Sequence, residues 1–192
     1  MTGGRAIRFA LLAGVAAATL AACNRGGMLG GQPSPPPRKA GLWEETLQGD
    51  MQTGPPMVSK SCFDAASDLR QPVLGRRLQS GRCQDVTVTR GPNGSYVADA
   101  VCLTGIGAKV TSHTVVTGDF SNRYQIVVER TVENAPVQDL NGKHTTTITA
   151  VYKGACPPEI GPGMRQLPTG DIVAIGEGRR FRNGGGERPS TQ

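Results

Sequence analysis

The chain is poor in aromatic rings, in charge and in histidine. Aromatics make up 4% of its 192 residues, charged residues 19%, and there are 2 histidines. So few rings argue against a large aromatic ligand cage. His113 and His144 alone cannot build a multi-histidine metal centre, and each is read as a solvent-facing strand histidine. No C-x-x-C pair occurs, which removes a thioredoxin-type redox site. Glu44 and Glu45 resemble a carboxylate pair, but neighbours on a strand point to opposite faces and cannot share a substrate. Gly105-Ile106-Gly107 lacks the following helix and Lys-Ser/Thr pair of a phosphate loop. Neither a G-x-S-x-G elbow nor a Ser/His/Asp set is found, and no nucleic-acid-binding module appears. No catalytic, cofactor or metal residues are nominated, and a non-enzymatic role is expected.

What is abundant is glycine (27), proline (14) and positive charge, +6 net. The strongest signal lies at the start. Arg5 and Arg8 precede an apolar run, Phe9–Leu20, that falls short of the roughly 20 residues a membrane-spanning helix needs. Its small residues suit the apolar core of an export signal. The run closes on Leu20-Ala21-Ala22-Cys23, which resembles the lipobox of bacterial lipoproteins. Small residues at 21 and 22 fit a narrow protease site, and a thiol at 23 is what forms the thioether to diacylglycerol. Residues 1–22 are therefore expected to be a lipoprotein signal peptide and Cys23 the lipidated residue. Asn24 stands where an aspartate would hold a lipoprotein in the inner membrane, so a periplasm-facing place on the outer membrane is favoured.

Residues 23–39 read as the lipidated cysteine and a Gly/Pro-rich tether, because no hydrophobic period survives and Pro33, Pro35, Pro36 and Pro37 favour extended chain. Residues 179–192 read as a basic disordered tail, solvated rather than bound to phosphate. Between them, residues 40–178 form one expected domain. Its apolar residues alternate with period two. Strands are expected at Leu42–Leu47, Met57–Cys62, Gln84–Arg90, Ser95–Leu103, Lys109–Thr117, Arg123–Val132, Lys143–Lys153 and Asp171–Ile175, with one or two helical turns after Phe63. Asn93-Gly94 between β-rich runs predicts a hairpin, since both residues tolerate positive φ. Lysines at both ends of Lys143–Lys153 suggest an edge strand. The expected fold is mainly β: an antiparallel meander forming a curved sheet or half-barrel, wet on one face, with one short helix and a disulfide-closed loop.

Cys62, Cys83, Cys102 and Cys156 remain once Cys23 is lipidated. An even count in an exported domain implies two disulfides. The preferred pairing is Cys62–Cys83 and Cys102–Cys156, the first closing the Arg-rich loop. Its rival is Cys83–Cys102, where a two-residue Asn93-Gly94 turn would set Cys83 opposite Thr104.

The order Gly41-Leu42-Trp43-Glu44, Ser61-Cys62, Arg82-Cys83, Tyr96 through Cys102, then Gly154-Ala155-Cys156 resembles the bacterial domain of unknown function three-six-one-seven. The likeness runs from about Ala40 to Cys156. It departs from the usual pattern at Lys39-Ala40, where a proline often stands. The resemblance implies export, often lipidation, and a four-cysteine framework. It implies no activity and carries no functional residues. Together these readings lead to an envelope lipoprotein bound to the membrane by its lipid, with a non-catalytic interaction domain and an envelope protein as partner. The alternatives are a lipocalin-like carrier of a small apolar ligand, and a hydrolase inhibitor presenting the Asp64–Arg82 loop.

Overall fold

The computed structural model describes residues 31–74, 82–175 and 180–181. The expected signal peptide 1–22, Cys23 and residues 24–30 of the expected tether lie outside them, as does the stretch 179–192 expected to be a disordered tail, except that Arg180–Phe181 pair as a short strand with Ile172–Ala174. The strands are β1 (Gly41–Gly49), β2 (Met57–Phe63), β3 (Arg82–Arg90), β4 (Tyr96–Leu103), β5 (Lys109–Gly118), β6 (Arg123–Glu133), β7 (Gly142–Gly154), β8 (Met164–Gln166), β9 (Ile172–Ala174) and β10 (Arg180–Phe181). One helix, α1 (Ala65–Arg70), follows β2. The strands form one antiparallel sheet in the order β10-β9-β8-β2-β1-β7-β6-β5-β4-β3, which does not close into a barrel.

From β3 to β7 the chain is the expected meander. The addition is β1, which slots between β2 and β7. Lys143–Lys153 is therefore an interior strand rather than an edge, flanked by β1 and β6. Its Lys153 meets Glu44 of β1 at 3.0 Å across the strands. Nothing in the local alternation of β7 reports that an earlier strand will pair with it.

Period-two alternation sends Trp43, Ala98, Val116, Tyr124, Ile126, Ile148 and Ala150 to one face, where they are buried. The scarce aromatics gather there. Trp43 lies 5.2 Å from Tyr124, Phe120 stacks 5.7 Å from Tyr124, and Tyr152 meets Trp43 edge-on at 5.6 Å. Val73 and Leu74, just beyond α1, join the same core. Asp64 starts α1: its Oδ1 accepts from the Ser67 N–H at 2.7 Å, and its own N–H donates to Ser67 Oγ at 2.8 Å. The opposite face is not wet throughout. Cys62, Ile160 and Ile172 form a second small cluster there, with Leu42 packed against it.

The disulfides are Cys62–Cys156 and Cys83–Cys102, which corrects the preferred pairing of Cys62 with Cys83 and Cys102 with Cys156. The sheet order explains the first. Cys62 of β2 and Gly154 of β7 both pair with Leu42, so Cys156 turns back onto Cys62 across β1. Cys83 sits six strand spacings from β2, roughly 29 Å along the sheet at about 4.8 Å per strand. The second bridge follows from register. The β3–β4 connection uses three residues, Pro92–Gly94, so Arg90 pairs with Tyr96. A bulge then sets Asp85 and Val86 against Ala100. Each feature slips the pairing by one residue, which carries Cys83 from Thr104 to Cys102.

Candidate functional site

Arg38 belongs to the stretch read as tether, yet it is buried, with 5% of its side chain exposed. Its Nε donates to Asp68 Oδ1 of α1 at 2.5 Å, Nη2 donates to the Gln71 carbonyl, and the guanidinium lies 3.6 Å over the Phe63 ring. Nη1 reaches the Tyr124 hydroxyl at 3.4 Å. That hydroxyl donates to Glu45 Oε1 at 2.9 Å. Glu45 Oε2 takes a charge-assisted bond from Arg165 Nη2, and Arg165 Nε donates to Ser61 Oγ at 2.7 Å. The register positions these groups: β8 pairs Arg165 with Ser61, and β1 pairs Glu45 with Ser59.

Electrostatics follow from this order. Burial alone would lower the Arg38 pKa, but Tyr124 and Asp68 more than reverse it, so the guanidinium stays above its ordinary value. Burial, seconded by Glu45, pushes the Tyr124 hydroxyl far above the usual tyrosine range, with Arg38 opposing. Tyr124 is therefore neutral at any physiological pH and serves as donor to Glu45. Each carboxylate of this hydrogen-bonded network is met by a guanidinium, Asp68 by Arg38 and Glu45 by Arg165. Above this floor lies a cavity of about 140 Å³, walled by Leu47, Val73, Ile126 and Ile148.

A second depression, about 490 Å³, runs over the middle of β4–β7. Register places Asp99, His113, Glu129 and Thr145 in one row on one face, with His113 Nδ1 2.7 Å from Asp99 Oδ1. His144 belongs to the row of Ser112 and Arg130 on the other face. The two histidines therefore cannot meet on one ligand. His113 is half exposed as expected. His144 is not solvent-facing: its side chain is 13% exposed, with Nε2 3.0 Å from the Leu140 carbonyl oxygen. Among the described residues, no three His, Cys, Asp or Glu side chains come together as metal ligands. Glu44 and Glu45 do lie on opposite faces, one with Lys153 and the other with Arg165.

The polar chain escaped sequence reasoning. Arg38 sits among prolines, and Arg165 lies in a Gly/Pro-rich stretch after the meander. Their carboxylate partners are distant in sequence. The one available signal was Tyr124 and Glu45 falling on inward-facing strand positions.

Fold and site define a class: a single antiparallel sheet, stapled by two disulfides, with a charge-balanced polar chain buried on one face. The chain belongs to the family described as Protein of unknown function (DUF3617), whose model matches residues 38–156. That match opens at buried Arg38 and closes at disulfide-bonded Cys156. No curated protein and no solved structure matches the chain.

Proposed function

We propose that this chain is an envelope lipoprotein, held by lipid on Cys23 with the outer membrane favoured, whose domain binds another envelope component rather than catalysing a reaction. One observation carries the reading: the cysteines other than Cys23 are joined as two disulfides, Cys62–Cys156 and Cys83–Cys102. Such bridges persist in oxidising compartments outside the cytosol. This leaves Cys23, at the end of an export-type leader, as the cysteine free for lipid.

A carrier of an apolar ligand calls for an interior of roughly 300 Å³ or more. The cavity over the polar chain is about 140 Å³ and floored by charges, and the larger depression of about 490 Å³ is an open one lined by Asp99, His113, Glu129, Arg130 and Lys143 rather than an apolar interior. The inhibitor reading calls for a presented loop, yet Val73 and Leu74 of the 64–82 segment are packed into the core. Both observations favour binding by the outer surface.

The test is fractionation of cells expressing the full chain or its Cys23→Ser variant, with in-cell crosslinking and mass spectrometry on the same samples. The native protein is expected in membranes, starting at an acylated Cys23, with no titratable thiol and a reproducible envelope crosslink. Cys23→Ser is expected in the soluble fraction. Unchanged pelleting of Cys23→Ser, or four free thiols in the native protein, overturns the reading.

A further inference from the structure

Among the described residues, the exposed apolar side chains Leu103, Ile106, Val137 and Leu140 share one end of the sheet. Ile106 belongs to the β4–β5 turn, and Val137 and Leu140 to the β6–β7 connection. Val132 pairs with Gly142, and Lys109 with both Glu133 and Leu103, so these two connections stand together at one end of β7-β6-β5-β4. The β1–β2 hairpin falls short of them: Gly49 pairs with Thr146, and Met57 pairs with Leu47, in the row of Ile148, Ile126, Val116 and Tyr96 nearer the opposite end. The opposite end differs: its turns carry Pro92-Asn93-Gly94 and Asp119–Asn122, and Phe120 there is turned into the core.

The N-terminal segment points to the apolar end. Lys39 N–H donates to the Phe120 carbonyl at the far end, whereas Gln32 Nε2 donates to the Val86 carbonyl midway along β3. Read backwards, the chain travels from the far end toward the apolar tips. From Val86 to the end of β3 at Arg82 is roughly 13 Å at about 3.3 Å per residue. The residues between Cys23 and Gln32 span up to roughly 30 Å. A lipid on Cys23 is thus within reach of the level of the tips.

We infer that the domain stands end-on upon a phospholipid surface, with the tips carrying Ile106, Val137 and Leu140 dipped into the interface beside its own lipid anchor. This rests on the lipid-anchor reading above. Lipid is the occupant favoured over protein because the apolar groups are aliphatic tips on separate hairpins rather than an aromatic-centred patch. Charge plays little part: Lys109 is paired with Glu133, and Lys143 is offset by Asp139, around the same tips. Attraction by apolar burial alone predicts indifference to anionic lipid and to salt.

The experiment places a photo-crosslinking amino acid at Ile106 or Val137 of the full chain, and at Asn93 or Ser121 as far-end controls. The purified protein is reconstituted in vesicles of phosphatidylethanolamine with phosphatidylglycerol, and in phosphatidylcholine alone. Phospholipid adducts at Ile106 and Val137 are expected to exceed the controls by about tenfold in both, the scale of burying one aliphatic side chain. Adducts no more frequent at the tips than at Asn93 and Ser121 overturn the inference, as do crosslinks at the tips to a second copy or another protein. Palmitate labelling of the same preparation decides the anchor separately. A labelled protein without tip adducts sinks this inference alone, and tip adducts on an unlabelled protein sink the anchor alone.

Discussion

Arg38 separates two pictures of the chain. If it belonged to a solvated tether, replacing it would change stability by no more than about 0.5 kcal/mol, as at other exposed sites. In the structure it is buried against Asp68, whose side chain is 7% exposed, at 2.5 Å. Arg38→Met keeps much of the stacking over Phe63 but leaves the Asp68 carboxylate buried without its cation. Removing one partner of a buried pair costs about 3–5 kcal/mol, mostly the desolvation of the charge left behind. For a domain of this size that lowers Tm by roughly 10–15 °C. Asp68→Leu strands the guanidinium and is expected to cost a similar amount. The double variant Arg38→Met/Asp68→Leu removes both charges together, so its cost is expected to fall below the sum of the singles by roughly 2 kcal/mol. Urea unfolding followed by far-ultraviolet circular dichroism, with the disulfides intact, measures all four corners of the cycle. Single variants within 0.5 kcal/mol of the parent (roughly the surface range), or strictly additive losses, would refute the assignment of Arg38 to the core.

Three further outcomes are expected. Unreduced peptide mapping should recover Cys62–Cys156 and Cys83–Cys102; deleting the first, which spans 94 residues, should cost more than deleting the second, which spans 19, at about 4.7 against 3 kcal/mol by loop entropy. Gly41 has φ +135°, and an added Cβ would collide with the Gly154 carbonyl oxygen and lie 2.7 Å from the Tyr152 ring. Gly41→Ala should therefore lose more than about 1 kcal/mol, while Gly161→Ala, with open space around its Cα, should not; equal effects would contradict the close packing of β1 on β7. The Asp119 carboxylate accepts from the Asn122 N–H at 2.7 Å, the Asn122 side chain, and the N–H groups of Arg123 and Ser121, which hold its pKa below the usual carboxylate range. A depressed folded pKa stabilises above the unfolded value near 4 and loses that contribution as pH falls through the folded one. Asp119→Asn should flatten the fall in Tm below about pH 4, and an unchanged acid limb would show that the turn does not contribute to it.

Local physics was legible in the sequence. Period-two alternation reports which strand residues face inward, because successive side chains point to opposite faces whatever the partner. Hence the meander from β3 to β7 and the inward Trp43 could be read directly. The positive φ tolerated by Asn93 and Gly94 located a hairpin, and the thiol at Cys23 within an export-type leader supplied the anchor expectation. Pairing was not legible, because it depends on residues far apart in the chain. The place of β1 between β2 and β7 made Lys143–Lys153 interior and brought Cys156 to Cys62. A three-residue turn and one bulge set Cys83 against Cys102. Arg38 and Arg165 look like loop cations until the sheet gathers Asp68, Tyr124 and Glu45 around them. Alternation is a property of each strand and is written in its own residues, whereas register and strand order are properties of the assembled sheet. The buried charges and the bridges are consequences of that assembly.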